Sequence, residues 1–354
     1  MKVLVVGDPL LTSKKLTEAV VSTLGNSVEV SCVDWVPASE EEFWYLRSQV
    51  EKFGPGKGKP PEELLTAVAD VDMIVTQHTP LNAEIISRAK RCTMIGVCRA
   101  GVENVDVEAA SAQGIAVFQT MGRNAHAVSD FTIGMMLSEM RNIARSHAAL
   151  MQGNWQKKYS NTGFIGDMPG KVVGLVGFGY IGRLVAKKLS CFEVEVVAYD
   201  PFTSEQDIAA AGARKVTLEE LCRISDFISV HARLSKETEG LIGKKELAVM
   251  KPTAYVINTA RAGLINEQAL MESLEGGKIG GAALDVFWVE PPPEGHPLLR
   301  LSNVTITPHL AGSTTDAFGR TPYLLLAEVK RVLEGGDMRW VVNRDKVPAV
   351  KGRI

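Results

Sequence analysis

The sequence predicts an α/β protein made of two doubly wound domains, each on a parallel sheet. Three observations carry that prediction. The chain has 354 residues, more than one ordinary core accommodates. Short apolar runs alternate with helix-spaced stretches from end to end, and a second series of such runs restarts near residue 172. Buried strands separated by helices require crossover connections, and crossovers make strands parallel.

In the first series KVLVV (2–6), VEVSCV (28–33), DMIVTQ (72–77), CTMIGVC (92–98) and IAVFQ (115–119) read as strands covered on both faces. KLTEAVVSTL, EELLTAVADV and NAEIISRAK lie between them with helical spacing, and GKGKPPEE (56–63) reads as a surface loop. Residues 126–155 carry the periodicity of one long amphipathic helix, of the kind that joins two domains. The second series runs through VVGLVG (172–177), VEVVAYD, FISVH, AYVINT, GAALDVF and VTITPH. A helix over 313–336 then ends at paired glycines. The remaining RWVVNRDKVP has no sheet of its own and is expected to pack back against the first domain.

Composition narrows the function. With 39 basic and 41 acidic residues the net charge is −2, which gives no electrostatic case for nucleic acid or an anionic membrane. No apolar run approaches the roughly 18 residues that span a bilayer, and the opening MKVLVVGD is too short for a signal-peptide core. Five scattered cysteines, none spaced CxxC, fit reduced thiols in a cytoplasmic protein and no metal site.

The chemistry begins at GKVVGLVGFGYIGRLVAKKL (170–189). Gly177, Gly179 and Gly182 form GxGxxG between a strand and a helix, and the next strand ends in an acid, Asp200. The first glycine permits the tight turn, the second lets a pyrophosphate approach the backbone, and the third lets helix pack on strand. The helix N-terminus offers free N–H groups to phosphate. Asp200 sits where a carboxylate accepts the adenosine ribose hydroxyls and repels a 2′-phosphate, so the cofactor is expected to be NAD.

A dinucleotide needs a partner that handles a proton and an oxygen. Arg261, Glu290 and His309 follow three strands of the second series, at the carboxyl ends where doubly wound sheets bind ligands. A carboxylate hydrogen-bonded to an imidazole favours the imidazolium, the form that can protonate a ketone. Glu290 is expected to serve His309 in that way, and Arg261 to clamp a carboxylate with two N–H groups.

With these residues the sequence resembles the D-isomer-specific 2-hydroxyacid dehydrogenases. The resemblance covers nearly the whole chain, is weakest before residue 70, and rests on GRNAHAVSDFTIGMML, GKVVGLVGFGYIGR, MKPTAYVINTARAGLIN, GGAALDVFWVEPPP and TPHLAGST. It implies a Rossmann NAD-binding domain (120–311) inserted in a flavodoxin-like substrate domain (1–119 plus 312–354), and a homodimer formed largely by the nucleotide domain. It makes Arg261, Glu290 and His309 the catalytic trio. For NAD it implies Tyr180 and Ile181 beside the three glycines and Asp200, with His231, Thr238, Thr259, Ala260, Asp285, His309 and Gly312. Asp285 falls at the position that holds the nicotinamide carboxamide. For the substrate it implies backbone N–H groups at Ala100 and Gly101, with Arg261 and His309.

Three departures bear on substrate and cofactor. Ala232 and Arg233 stand where an apolar residue and proline are common, and Ala262 where glycine is usual. The strand end IVTQHTPLN (74–82) lacks the arginine that phosphoglycerate dehydrogenases carry there, leaving Thr76, Gln77 and His78, with Arg99, Arg141 and Trp288 as other residues near a substrate tail. A dianionic phosphate needs fixed cations, so an unphosphorylated polar 2-hydroxy acid is expected. The alternatives are a 3-phosphoglycerate dehydrogenase and an NADH-sensing binding protein of the same fold. Formate dehydrogenase, a third relative, lacks a carboxylate at the Glu290 position. The chain stops after the returning tail, so no C-terminal regulatory domain is expected.

Overall fold

A computed structural model gives the protein over residues 1–350; the last four residues, the end of the expected substrate domain, lie outside the described residues. The chain divides into two compact units, one of Met1–Arg123 and Thr314–Ile354, the other of Asn124–Ser313.

The first unit holds a five-stranded sheet of β1 (Lys2–Gly7), β2 (Glu29–Asp34), β3 (Met73–Thr76), β4 (Met94–Val97) and β5 (Ala116–Phe118). Its order is β2-β1-β3-β4-β5, all parallel, which is the flavodoxin-like arrangement. Its helices before the second unit are α1 (Ser13–Leu24), α2 (Glu40–Phe53), α3 (Leu64–Ala67), α4 (Ala83–Arg88) and α5 (Val107–Ala112). Apolar side chains fill both faces of the sheet, Val3, Val5 and Phe118 on one side and Leu4, Val6 and Ile74 on the other.

Helix α2 lies in a stretch where the sequence suggested no element. Ser39 Oγ accepts from Glu42 N at 3.1 Å and Glu42 Oε2 from Ala38 N at 2.7 Å, a reciprocal cap that starts the helix. Phe43, Leu46 and Val50 make its buried stripe, and Trp35, Phe43 and Leu46 form a small cluster apart from the main core. The expected helix in EELLTAVADV shrinks to the four residues of α3.

The second unit opens with α6 (Ala125–Arg141) and α7 (Ile143–Met151), where periodicity suggested one long helix. The break is Asn142, in the left-handed conformation at φ 58°, a state Asn adopts more readily than most residues. Its Nδ2 donates to Asn161 Oδ1 at 2.8 Å, so the bend is anchored. A seven-stranded parallel sheet follows: β6 (Val172–Val176), β7 (Glu195–Tyr199), β8 (Arg214–Lys215), β9 (Phe227–Val230), β10 (Tyr255–Asn258), β11 (Gly281–Leu284) and β12 (Val304–Ile306). Its crossover helices are α8 (Tyr180–Leu189), α9 (Glu205–Ala210), α10 (Leu218–Ile224), α11 (Lys244–Ala248) and α12 (Glu267–Glu275). The order β12-β11-β10-β9-β6-β7-β8 is that of a Rossmann sheet extended by one strand, with the switch point between β6 and β9. The two-residue β8 was not foreseen.

The chain then returns to the first unit through α13 (Thr315–Leu333). Beyond it Val341 bridges antiparallel to Phe118, and Val342 N donates to Val117 O at 2.9 Å. Asn343 locks this edge, its Oδ1 accepting from Val117 N and its Nδ2 donating to Ile115 O, both at 2.9 Å.

Candidate active site

The glycine turn leaves β6 and enters α8 at the switch point of the large sheet. Gly177 has φ 96°, and a Cβ there would sit 2.5 Å from Ala232 N, so a side chain is excluded by both conformation and space. A Cβ on Gly182 would run into the Gly177 carbonyl oxygen, which is the close packing of helix on turn. Around Gly179 nothing lies within 4 Å, and it is the N-cap of α8, whose first turn carries no acid. A cradle open at the middle glycine, facing unpaired helix N–H groups, fits a pyrophosphate.

Asp200 closes the turn. Its Oδ2 accepts from Phe178 N at 2.7 Å and its Oδ1 from Phe202 N and Thr203 N at 2.8 and 2.9 Å. Partial burial opposes its charge, but these backbone donors win and hold its pKa below the usual carboxylate range. The carboxylate therefore stays ionised while it ties the glycine turn to the end of β7. Tyr180 is exposed and Ile181 packs into the core beneath α8.

His231 N continues the ladder to Val176 O at 2.7 Å, beside the same turn. Its Nε2 meets Ser229 Oγ at 2.9 Å, its Nδ1 is buried without a partner among the described residues, and burial pushes it down to about 4. Thr238 Oγ1 donates to Arg233 O at 2.6 Å and accepts from Ser235 N at 2.8 Å, folding the 233–238 loop on itself. Thr259 Oγ1 contacts Thr132 Oγ1 at 2.8 Å and ties the end of β10 to α6. Gly312 lies against the Asn124 amide, which a Cβ there would have to displace from 2.5 Å.

Arg261, Glu290 and His309 follow three adjacent strands, β10, β11 and β12, at their carboxyl ends. His309 Nδ1 meets Glu290 Oε2 at 2.8 Å, and Glu290 Oε1 accepts from Phe287 N at 3.1 Å. Burial raises the cost of the Glu290 charge, yet the His309 hydrogen bond, the Phe287 N–H and nearby Arg261 outweigh it, so its pKa lies below the ordinary glutamate range. Arg261 is exposed, with Nη1 donating to Ala260 O at 2.7 Å, and no carboxylate pairs with it among the described residues. An apolar pocket of about 370 Å³, walled by Phe287, Pro291, Pro292, Leu299 and Ile306, flanks the pair.

Two side chains do work that the sequence reading did not assign. Asp285, fully buried, accepts from Thr307 Oγ1 at 2.6 Å, Leu310 N at 2.8 Å and Ala311 N at 2.8 Å. It thus braces the loop that holds His309, whose own backbone is left-handed at φ 55°. Asn258 braces the other side, its Oδ1 accepting from Ala260 N and its Nδ2 donating to Arg261 O, both at 3.0 Å. Asn258 stands inside AYVINTARAG, and an amide between strand and turn was the available signal.

Other expected residues are distributed differently. Trp288 Nε1 donates to Ile265 O at 3.1 Å and its ring packs on the second unit's core. Arg141 pairs with Asp167 at 3.3 Å. Ala100, Gly101 and Arg99 follow β4 in the first unit, where Thr76, Gln77 and His78 are buried at the end of β3.

This fold and site define a doubly wound dinucleotide-binding fold, with a His–Glu pair at the carboxyl edge of its larger sheet and an arginine there that meets no carboxylate among the described residues. Residues 133–311 match the model of the D-isomer specific 2-hydroxyacid dehydrogenase NAD-binding domain. Over 314 residues the chain is 38% identical to a D-3-phosphoglycerate dehydrogenase of Methanocaldococcus jannaschii, a match covering 88% of this chain and 59% of that one. It is also 38% identical over 300 residues to a hydroxypyruvate reductase of Thermotoga maritima, covering 84% of this chain and 96% of that one. A solved glyoxylate reductase from Paecilomyes thermophila superposes with TM-score 0.69 at 28% identity, covering 98% of this chain and 99% of that one. The chain belongs to the D-isomer-specific 2-hydroxyacid dehydrogenase family, and its second unit is an NAD-binding domain. It spans 59% of the length of the phosphoglycerate dehydrogenase it matches. Among the described residues no helix is long and apolar enough to cross a membrane, and no cluster of His, Cys, Asp and Glu could hold a metal ion.

Proposed function

We propose that this protein is an NAD-dependent D-2-hydroxyacid dehydrogenase that interconverts an unphosphorylated, polar 2-hydroxy acid and its 2-keto acid. The observation that carries the reading is the 2.8 Å contact of His309 with Glu290, beside an Arg261 that no carboxylate occupies among the described residues. Bound NAD would supply the hydride acceptor, and NADH the donor. Arg261 takes the substrate carboxylate through its guanidinium and polarises the adjacent carbonyl. His309 gives a proton to the keto oxygen in reduction and removes it from the hydroxyl in oxidation. Glu290 orients the ring through its 2.8 Å contact with Nδ1. The glycine turn and Asp200 would hold the pyrophosphate and ribose. Backbone N–H groups at Ala100 and Gly101 are the proposed second grip on the carboxylate, and Asp285, besides bracing the His309 loop, the proposed partner of the carboxamide.

The proposed working state is a cytoplasmic homodimer. Helix α7 has no buried residue, and Ile143, Leu150, Met151 and nearby Trp155 expose a large apolar surface that a second copy would cover. Oxidation of NADH with a panel of 2-keto acids tests the reaction: turnover of hydroxypyruvate or glyoxylate is expected. Tight NADH binding with no turnover of any keto acid would instead support a binding protein of the same fold.

A further inference from the structure

At the carboxyl edge of the five-stranded sheet lies a group of polar side chains that the acid–base chemistry does not use. The strand order reverses between β1 and β3, and a switch point of that kind leaves a crevice suited to a ligand. Asp8, at the end of β1, accepts from His78 N and meets His78 Nδ1, both at 3.1 Å. Beside it Thr76 Oγ1, Gln77 Oε1, Thr79 Oγ1 and Asn104 Oδ1 are buried without a hydrogen-bond partner among the described residues. Buried polar atoms are rarely left unpaired, and here they concentrate at one strand end.

Helix α2 roofs this edge. Phe43 sets its ring edge-on to His78, with centroids 6.0 Å apart. Glu51 Oε1 accepts from Arg47 Nε at 3.0 Å and from Arg99 Nη2 at 2.9 Å, and the same Nη2 reaches Glu103 Oε2 at 3.2 Å. Arg123 stacks over Phe318 at 5.3 Å and pairs with no carboxylate among the described residues. Burial, ahead of the opposing pull of Asp8, holds His78 toward its neutral form. Arg47 and Arg99 are therefore already engaged by the carboxylates of Glu51 and Glu103, Asp8 adds a third carboxylate at the same edge, and Arg123 alone has no carboxylate partner among the described residues.

A dianionic phosphate requires arginines free to bind it and meets repulsion from carboxylates. A hydroxyl both donates and accepts, so it can bridge a guanidinium and a carboxylate. We propose that the crevice under α2 recognises the hydroxylated tail of the substrate, with Glu51 as the specificity-determining residue that orients Arg47 and Arg99 as donors and rejects phosphorylated tails. The identity of the ligand as a hydroxy acid rests on the function proposed above; the preference for hydroxyls over phosphate rests on this crevice alone.

The test is calorimetric titration of the full chain with NADH present, so that no reaction proceeds when hydroxy acids are added. The ligands are glycolate, which has no tail, D-glycerate, the four-carbon D-erythronate and 3-phospho-D-glycerate. Wild type is expected to bind D-erythronate roughly tenfold tighter than either glycolate or the phosphorylated acid. In Glu51→Gln the erythronate-to-glycolate preference should collapse to about threefold or less, and 3-phosphoglycerate should bind about tenfold tighter than to wild type. A wild type that prefers the phosphorylated acid, or binds erythronate no better than glycolate, overturns the proposal. So does a folded Glu51→Gln with both ratios unchanged. The wild-type ratios need no variant, so a misfolded Glu51→Gln does not shield the idea. Turnover of the same acids with NAD is measured separately. Tail-selective binding without turnover removes the dehydrogenase reading and leaves this one, and turnover without tail preference does the reverse.

Discussion

His309 sits in a backbone conformation that costs energy for a non-glycine residue, and the structure holds it there with Asp285 on one side and Glu290 on the ring. A side chain so over-determined is positioned for proton transfer. His309→Ala should lower kcat for keto-acid reduction by roughly 10²–10⁴-fold while NADH binding, followed by fluorescence titration, stays near wild type. Near wild-type kcat would remove the residue from the mechanism. Glu290, held below the usual glutamate range by its donors against burial, keeps its charge across the neutral region. In Glu290→Gln that charge is gone, and kcat for keto-acid reduction should fall by roughly tenfold or more while NADH binding stays near wild type; an unchanged kcat would mean that the pair does not act as a unit. Asp200 makes a different expectation, because it is the proposed ribose partner and also pins the glycine turn. Asp200→Ser should narrow the preference for NAD over NADP, and should do so by weakening NAD as well as by admitting the 2′-phosphate. Wild type using both cofactors equally well would contradict this.

Among the elements, α6 is tied to β12 by a buried carboxylate. Glu139 on α6 accepts from Thr305 Oγ1 at 2.6 Å and pairs with Arg145 on α7, yet burial outweighs both and pushes it up to about 7. A carboxyl raised above its unfolded value near 4.5 stabilises the fold fully below that pH, and the contribution is lost as pH rises through about 7. Wild-type stability should therefore fall by up to a few kcal/mol over that window, and Glu139→Gln should flatten the decline. Denaturant melts at pH 5 and pH 8 decide it: equal pH dependence in the two proteins would refute the account. Both parallel sheets and the glycine turn were legible in the sequence because they depend on local features, apolar runs and GxGxxG. The break at Asn142 was not, because the helical periodicity runs through it and only the contact with Asn161 fixes the bend. Helix α2 was overlooked although Ser39 and Glu42 form its cap, since its Phe43, Leu46 and Val50 stripe is diluted by charged neighbours. In the site, the placement of Arg261, Glu290 and His309 at strand ends could be read from the sequence, whereas the bracing by Asp285 and Asn258 needs the loops folded around them.

For the whole molecule, assembly turns on a helix whose apolar residues do not pack into its own chain. Helix α7 buries none of its residues, while Ile143, Leu150 and Met151 recur at i, i+7 and i+8 on one face. Ile143 and Leu150 are about half exposed at 55% and 54%, and Met151 and Trp155 are 74% and 77% exposed. Scattered exposed apolar residues are ordinary, but a contiguous apolar stripe left exposed along a helix that buries no apolar residue gains stability from cover. A second copy supplies cover of matching chemistry, and a two-fold pairing places the same stripe on both sides. Sedimentation velocity should show the wild type at twice the chain mass. Met151→Asp combined with Trp155→Ser puts a charge and a hydroxyl into that interface and should shift the protein to the monomer mass, with a lower melting temperature. A wild type that sediments as a monomer, or a variant that keeps the dimer, would move the interface away from α7 and leave its apolar face to another partner.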